Sequence, residues 1–214
     1  MTDSNVHILH GFLGSSLMMR EAFCGLALNA TYYDLCEEHT GSVRLQGATL
    51  QEFAQGVRPG GYLFGYSLGG RIAMQAYAAA PGRWKGLIVC GSRFGLVSGH
   101  IQRIQQDEAW ACRFEGSEPW EDVLGSWNAQ SLFQGAAMPE SMQPDQNYRQ
   151  RYAEILRGCS LGRQPDMSHL FQRHVLFLSN EHHDKAVVIP GTHRFLWETV
   201  SWHSIVRHWI QKEL

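Results

Sequence analysis

The sequence predicts an α/β fold, with a mostly parallel sheet, helices on both faces and an inserted helical cap. Along most of the 214 residues, short and almost continuously apolar runs alternate with helix-forming stretches, which is the pattern of buried parallel strands. One long stretch without strand character interrupts the alternation and predicts the cap. A serine bracketed by glycines joins one strand to the next helix, a connection typical of catalytic strand-to-helix turns.

The N-terminal part alternates strands and helices. Val6 to Leu9 is a short apolar run that predicts a buried strand, and it ends in the glycine-punctuated loop His10 to Ser16. Leu17 to Leu28 is helix-forming, Thr31 to Leu35 predicts a second strand, and Leu50 to Val57 predicts a helix closed by a Pro-Gly-Gly turn. These elements bring the chain to the strand before the serine.

The middle of the chain contains the serine and its flanking elements. Tyr62 to Phe64 predicts a strand, Arg71 to Ala80 predicts a helix rich in small residues, and Gly86 to Ser92 predicts another buried strand. From about Ile101 to Phe171 the sequence is helix-forming and rich in Arg, Gln and Trp. We assign residues 100–171 to a helical cap above the C-terminal edge of the sheet, where ligands bind in open α/β folds.

The sheet resumes in the last part of the chain. Val175 to Leu178 predicts a strand, and a helix over roughly Trp202 to Gln211 ends the fold. No internal repeat or low-complexity linker separates these parts. Residues 1–214 are therefore expected to form one domain, with the cap inserted within it.

Composition and charge narrow the class of partner. The formal net charge is −2 without a run of like charges, so neither nucleic acid nor a membrane is expected as a partner. The five scattered cysteines fit reduced thiols in a cytoplasmic protein. The polar start, Met1 to Asn5, does not resemble a signal peptide. We expect a monomer or weak homo-oligomer, no cofactor and no bound metal.

The segment Gly65-Tyr66-Ser67-Leu68-Gly69 has the pattern of a nucleophile elbow. Ser67 is expected at the tip of a strained turn, where residues without a Cβ let the strand and the helix pass closely. Its hydroxyl would stand clear of the sheet at the positive end of a helix. The backbone N–H groups of Leu68 and of Phe12, in the loop after the first strand, form the expected oxyanion hole.

Such a serine needs an acid and a histidine, which follow it in that order. His193 comes after a Pro-Gly turn and before the last helix, which is the expected place of the base. Asp184 is the preferred acid, and Glu181 is the alternative. His10 could be the base, but a histidine before such a glycine more often shapes the loop. A metal site is also conceivable, although its ligands would lack paired spacing: His182, His183, Asp184 and His193.

Arg71 indicates the charge of the substrate. It lies four residues after Ser67 on the predicted helix, so the two side chains share one face about a turn apart. A guanidinium is not needed for a neutral ester, but it would hold a carboxylate through a charge-assisted pair. We therefore expect a small-molecule anionic substrate. Alternatively, Arg71 forms a salt bridge with a carboxylate of the cap or sheet.

Further segments combine with the elbow into a larger pattern: His10 to Ser15, Arg103, Asp107, Trp110, Trp127, Leu132-Phe133, Leu161 to Asp166 and Pro190 to His193. From His10 to about Val200 this pattern resembles the 2-succinyl-6-hydroxy-2,4-cyclohexadiene-1-carboxylate synthases. These are enzymes of menaquinone biosynthesis with the α/β-hydrolase fold.

The resemblance implies a lyase that eliminates pyruvate from an enolpyruvyl ether without hydrolysis. Ser67 would be the base on a ring C–H, and His193 with its acid partner would keep that serine basic. Phe12 and Leu68 would supply the oxyanion hole. The positions implied to line the multiply anionic substrate are Tyr66, Arg71, Arg103 and Trp127. By residue type alone, Arg103 is more typical of a solvated helix charge and Trp127 of a core residue.

Three features depart from that family. His183 falls where the acid belongs, and Asp184 lies one position late. The chain before the strand-like run Ala186 to Ile189 is too short for the family's helix, so the last strand is missing or antiparallel, or the sequence omits a segment. The polar segment Cys36 to Ser42, expected to be a loop, replaces the family's proline-glycine-x-glycine loop.

Three functions remain open at this point. The first is the lyase that the resemblance implies. The second is a serine hydrolase of small carboxylic esters or thioesters, which would use the same triad. The third is a catalytically degraded member of the fold that binds a ligand, and the irregular acid region suggests it.

Overall fold

The computed structural model describes residues 5–133, 135–171 and 174–212. Its centre is a seven-stranded sheet in the order β3-β2-β1-β4-β5-β6-β7, and all neighbouring strands are parallel. The strands are β1 (Val6–Leu9), β2 (Ala30–Asp34), β3 (Ser42–Arg44), β4 (Tyr62–Tyr66), β5 (Gly86–Cys90), β6 (Val175–Ser179) and β7 (Val187–Val188). The predicted fold class is confirmed.

Helices follow most of the strands. Within the described residues the α-helices are α1 (Ser16–Ala22), α2 (Leu50–Gln55), α3 (Leu68–Ala79), α4 (His100–Glu115), α5 (Trp120–Asn128), α6 (Arg149–Gly158), α7 (Phe195–Glu198) and α8 (Ser201–Lys212). None of these helices combines the length and apolar character that a membrane span requires.

The central strands are covered on both faces. Every residue of β1, β4 and β5 is buried, although successive side chains of a strand point to opposite faces. Trp202 of α8 packs on one of these faces, with ring centroids 5.9 Å from Phe64 and 5.1 Å from Phe23. The near-continuous apolar runs of the sequence are thus explained by double-sided burial.

The segment predicted as the cap contains α4, α5 and α6, and its described residues include no strand. Aromatic side chains join these helices. The Trp120 ring stacks on Tyr152 with centroids 5.9 Å apart, and the Phe114 ring lies 5.6 Å from Trp127. Phe12, in the loop after β1, contacts Trp127 at 4.9 Å. This contact joins the helical segment to the edge of the sheet where β1 ends.

Two elements near the N-terminus differ from the prediction. Helix α1 ends at Ala22 and does not continue to Leu28, because Gly25 (φ 89°) and Ala27 (φ 49°) adopt left-handed conformations that cannot continue a helix. The edge strand β3 begins at Ser42, at the end of the predicted loop, and pairs with β2. Its sequence gave no strand signal, since it has only three residues and none of them is buried.

The last strand corrects one expectation. A missing or antiparallel strand is wrong, because β7 pairs in parallel with β6 through Leu178 and Val187 and through Ser179 and Val188. The connection, residues 180–186, contains no helix. A full parallel crossover needs a dozen or more residues. Here β7 pairs only with the last two residues of β6. The chain therefore runs back along only one or two residues of β6 and not along the whole strand.

The turn between β4 and α3 lies against the end of β1 at two glycines. A Cβ on Gly65 would lie closer than 3.0 Å to the backbone of Gly69, and a Cβ on Gly69 would lie that close to the carbonyl oxygens of Leu9 and His10. Both approaches involve backbone atoms, which cannot move aside as a flexible side chain can. The glycines of the elbow are therefore required by close packing, as predicted.

We expect Gly69→Ala to lower the free energy of unfolding by about 3 kcal/mol, because an overpacked site must displace backbone. Urea denaturation of the purified variant measures this loss. Gly125→Ala is the matched control, since no atom lies within 4 Å of a Cβ at that helical position, and it should raise stability by about 0.5–1 kcal/mol. Equal stabilities for the two variants would contradict the packing argument.

Candidate active site

Ser67 lies at the tip of the turn between β4 and α3. Its backbone has φ 53° and ψ −116°, a left-handed conformation that is costly for a residue with a Cβ. Two hydrogen bonds hold it. The Ser67 N–H donates to the Cys90 carbonyl at 2.8 Å, and the Ser92 hydroxyl donates to the Ser67 carbonyl at 2.7 Å. The strained turn predicted from the sequence is present.

His193 reaches Ser67 from the loop between β7 and α7. Its Nε2 lies 3.1 Å from Ser67 Oγ, across 126 positions of sequence. The Tyr66 hydroxyl donates to the backbone carbonyl of His193 at 3.1 Å. Glu198 of α7 accepts the Thr192 N–H at 2.7 Å and so fixes the preceding residue of the loop. The fold thus brings the predicted serine and base within hydrogen-bond distance.

The predicted acids lie apart from this pair. Asp184 and Glu181 are both exposed, and none of the described carboxylates hydrogen-bonds to His193. They belong to the short connection after β6, where the His183 ring stacks on Phe171 at 5.3 Å. This connection keeps both carboxylates at the surface. The hydrogen bond required by the acid prediction is therefore not formed in this structure, and the role of Asp184 or Glu181 stays a prediction.

The surroundings of His193 favour the neutral imidazole. Burial, with a smaller contribution from the adjacent Arg194 cation, lowers the pKa of His193 to about 4, because both disfavour the imidazolium. A carboxylate partner would act in the opposite direction. At neutral pH the ring is uncharged and can accept the proton of the Ser67 hydroxyl.

His10 holds the loop after β1. Its Nε2 lies 3.2 Å from the backbone nitrogen of Leu35, and its Nδ1 lies 2.6 Å from the Gly11 carbonyl oxygen. Since Nε2 accepts the Leu35 N–H, Nδ1 carries the proton and donates to Gly11. The buried Asp34 carboxylate lies 3.6 Å from Nε2 and accepts the Ser16 N–H at 2.6 Å. His10 therefore shapes the loop, as predicted, and is not placed as the base.

The two predicted oxyanion donors are on the elements that flank the serine turn. Leu68 is the first residue of α3, a position whose N–H has no acceptor within the helix. Phe12 lies in the loop that His10 holds. Both residues line the same cavity as Ser67. Their role as donors to a developing oxyanion stays a prediction.

The predicted arginines differ in their partners. The Arg71 guanidinium donates to the Cys159 carbonyl at 2.5 Å, and within the described chain it forms no salt bridge with the cap or the sheet. Burial lowers the pKa of Arg71 to about 10, so the group stays charged at neutral pH. Arg103 instead pairs with Asp107 through Nε, at 2.9 and 3.0 Å. Of the two, Arg71 lacks a paired anion.

Trp127 and Tyr66 also line the cavity. Trp127 is buried, and its indole N–H has no hydrogen-bond partner in the described part of the chain. A buried donor of this kind is costly unless a ligand or water accepts from it. Tyr66 has its hydroxyl occupied by the His193 carbonyl, so in this structure it holds the loop of the base.

One cavity of about 1360 Å³ contains the site. Its lining includes these predicted residues: Phe12, Tyr66, Ser67, Leu68, Arg71, Arg103, Trp127, Glu181 and His193. The sequence analysis missed Arg93 and Arg194, which also line it. Their positions offered a signal, because Arg93 follows the end of a buried strand and Arg194 directly follows the predicted base.

Comparison with known proteins identifies the fold and gives enzymes that part of the chain is similar to. The synthase for 2-succinyl-6-hydroxy-2,4-cyclohexadiene-1-carboxylate from Yersinia pseudotuberculosis serotype O:1b (strain IP 31758) is 41% identical over 137 residues, or 58% of this chain and 47% of that protein. The same enzyme of Yersinia pestis is 40% identical over 137 residues, with the same coverage. No protein-family model matches the chain.

Solved structures match over almost the whole chain. MenH from S. aureus superposes with a TM-score of 0.76 at 18% identity, covering 100% of this chain and 95% of that chain. A thermophilic esterase from Thermogutta terrifontis, solved with malate bound, gives a TM-score of 0.68 at 20% identity, covering 98% and 90%. The chain has the α/β-hydrolase fold.

Within that fold, the resemblance predicted from the motifs is confirmed, since the curated relatives are synthases of the family named from the sequence. The chain spans about half the length of the curated relatives it matches, 47% in each case. The α/β-hydrolase fold accounts for the position of Ser67 after β4 and of His193 after β7, the order that the sequence predicted.

We expect the His193 imidazole to titrate near pH 4 in the free protein, measured by NMR and assigned with a His193→Gln variant. The ordinary pKa of 6.5 applies to the unfolded chain, so the folded state binds fewer protons between these two values. The corresponding stability is full above pH 6.5 and is lost on acidification toward pH 4. A midpoint at or above 6.5 would show that a carboxylate approaches the ring in solution.

Proposed function

We propose that the protein is a carbon–oxygen lyase of menaquinone biosynthesis. It would eliminate pyruvate from 2-succinyl-5-enolpyruvyl-6-hydroxy-3-cyclohexene-1-carboxylate to give 2-succinyl-6-hydroxy-2,4-cyclohexadiene-1-carboxylate. The observation that carries this proposal is the match to curated synthases of that product, at 41% and 40% identity over 137 residues. The Ser67–His193 contact inside a cavity with arginine side chains in its wall supports it.

The names of substrate and product define the bonds that change. A proton leaves the ring carbon that bears the succinyl group, the ring double bond shifts, and a second double bond forms. The carbon–oxygen bond to the enolpyruvyl group breaks, and the leaving group takes up a proton to become pyruvate. Water is not consumed. The succinyl ketone acidifies the neighbouring C–H, so the step needs a base and a site for the developing enolate charge.

The residues of the cavity fit these two needs. Ser67 would remove the ring proton while His193 accepts the serine hydroxyl proton. His193 would then give its proton to the leaving enolate. The backbone N–H groups of Phe12 and Leu68 would stabilise the enolate oxygen. Since one proton is taken from the ring and one is given to the leaving group, Ser67 and His193 return to their starting protonation states in each turnover.

The cavity also suits the several carboxylates of this substrate. Arg71 is charged and has only a neutral acceptor in the structure, so a carboxylate would give it the anion it lacks. The buried and unpartnered N–H of Trp127 is a donor of the same kind. Arg103 and Tyr66 complete the proposed binding set, although both also bond to protein groups.

A cytoplasmic location belongs to the same proposal. The five cysteines are free thiols in the structure, which is usual in a reducing compartment. A small-molecule substrate, rather than a macromolecular partner, is proposed because two of the cationic groups, Arg71 and Arg194, line a cavity that also contains Ser67 and His193.

Ester hydrolysis is the second candidate, because a Ser67–His193 pair at an elbow is equally suited to form an acyl-enzyme. The exposed acids favour the third candidate, a ligand-binding protein without turnover, since His193 has no carboxylate partner among the described residues.

We expect Ser67→Ala to abolish pyruvate release from the enolpyruvyl precursor, because the base on the ring C–H is removed. Pyruvate is measured with a coupled dehydrogenase assay, and Ser204→Ala, an exposed serine of α8, is the matched control. Rapid labelling of Ser67 by a fluorophosphonate with ester turnover and no pyruvate would favour the hydrolase. Undiminished release by Ser67→Ala would exclude the serine as base.

We expect Arg71→Met to raise KM for the same substrate by about 10–100-fold, since a hydrogen-bonded charge contributes about 1.5–3 kcal/mol. Initial rates at varied substrate concentration separate KM from kcat. Arg207→Met, at an exposed position on α8, should leave both constants unchanged. An unaltered KM for a folded Arg71→Met protein would remove Arg71 from the proposed binding set.

A further inference from the structure

Arg194 is a buried cation beside the base. It directly follows His193, only 3% of its surface is exposed, and it lines the cavity into which Ser67 opens. The adjacent Phe133 ring covers one face of the guanidinium, whose central carbon lies 4.7 Å from the ring centroid. Neither the sequence motifs nor the comparisons assign a role to this residue.

The protein gives Arg194 neutral hydrogen-bond acceptors. Its Nη2 donates to Asn128 Oδ1, and its Nη1 donates to the Ala136 carbonyl at 3.4 Å. A guanidinium carries five N–H donors, so these two bonds leave most of its donor capacity unused. A neutral amide and a neutral carbonyl orient the group without compensating its charge.

Among the described residues, Glu198 is the carboxylate whose charge acts on Arg194, and it is already occupied. Glu198 accepts the Thr192 N–H at 2.7 Å and also the Thr192 hydroxyl. It forms no ion pair with Arg194, and no other carboxylate does so among the described residues. The buried charge is therefore left without a paired anion in the described part of the protein.

Burying an unpaired charge is costly, and it is compensated when an ion of opposite sign binds. We propose that Arg194 is an anion-binding residue of this cavity, and that it holds a carboxylate of the ligand beside His193. The proposed function supplies only the identity of the ligand, a multiply carboxylated ring compound. The anion site itself follows from the burial and the neutral partners of Arg194.

Such a site also connects substrate binding to the base. The positive charge of Arg194 disfavours a proton on His193, and a bound carboxylate would offset that charge. Three charged or titratable groups and hydroxyls lie near His193 in the described residues. Arg194 is the next residue, the Tyr66 hydroxyl donates to the backbone carbonyl of His193, and the Ser67 hydroxyl lies 3.1 Å from Nε2. Since the described residues place no carboxylate against the ring, the ligand would provide the negative charge that makes His193 a stronger proton acceptor.

The test uses succinate as the anion and the neutral, equally long succinamide as its control. We expect the protein to bind succinate but not succinamide in isothermal titration calorimetry, with weaker binding at high salt. Saturating succinate should raise the His193 pKa measured by NMR. Arg194→Met should weaken succinate binding at least tenfold, whereas Arg83→Met, at an exposed position, should not change it.

A second variant, Asn128→Asp, keeps the test decisive if Arg194→Met does not fold. Asn128→Asp replaces the neutral acceptor of Arg194 by a carboxylate of nearly the same shape, and it gives the buried cation an anion within the protein. It should fold at least as well as the parent and bind succinate at least tenfold more weakly. Parental affinity in folded Asn128→Asp or Arg194→Met would overturn the proposal, as would the absence of succinate binding to the unsubstituted protein.

These measurements do not depend on turnover. If pyruvate release fails while succinate binds through Arg194, the lyase proposal fails and the anion site stands. If pyruvate is released and Arg194→Met keeps both its KM and its succinate affinity, the anion site fails and the lyase stands. The lyase proposal and the anion-site proposal can therefore be refuted independently.

Discussion

The close approach of α3 to the end of β1 is the constraint on which the site depends. At Gly69 the helix backbone lies against the carbonyl oxygens of Leu9 and His10, with no room for a Cβ. This contact places Ser67, at the tip of the turn between β4 and α3, beside the loop after β1. A larger residue would separate the serine from the loop after β1, so packing at a position without a side chain determines where Ser67 and this loop meet.

Much of this arrangement could be predicted, because it is local. The elbow glycines indicate their own backbone geometry, and the apolar runs of β1, β4 and β5 indicate burial on both faces. The end of α1 could not be predicted, since Ala27 adopts a left-handed conformation that alanine rarely takes. The path of residues 180–186 also escaped prediction, because the register between β6 and β7 is a long-range property.

The surroundings of the charged residues in the site could be predicted only in part, for the same reason. Arg71 could be predicted from its spacing to Ser67, because helix geometry relates the two. Arg194 could not, because its burial and its neutral partners, Asn128 and Ala136, come from parts of the chain distant in sequence. Arg103 was expected to be available to the substrate, yet its position on α4 pairs it with Asp107 one turn later.

The short connection between β6 and β7 has two consequences. The short connection after β6 leaves no length for a crossover helix, and it also keeps Glu181 and Asp184 at the surface. In this structure neither carboxylate hydrogen-bonds to His193, and the role of Asp184 or Glu181 as the acid stays a prediction. Within the residues that the structure describes, the cavity combines a neutral His193 with two arginines, Arg71 and Arg194, that form no ion pair. An anionic ligand bound to either arginine would supply a counter-charge inside the cavity that also contains His193.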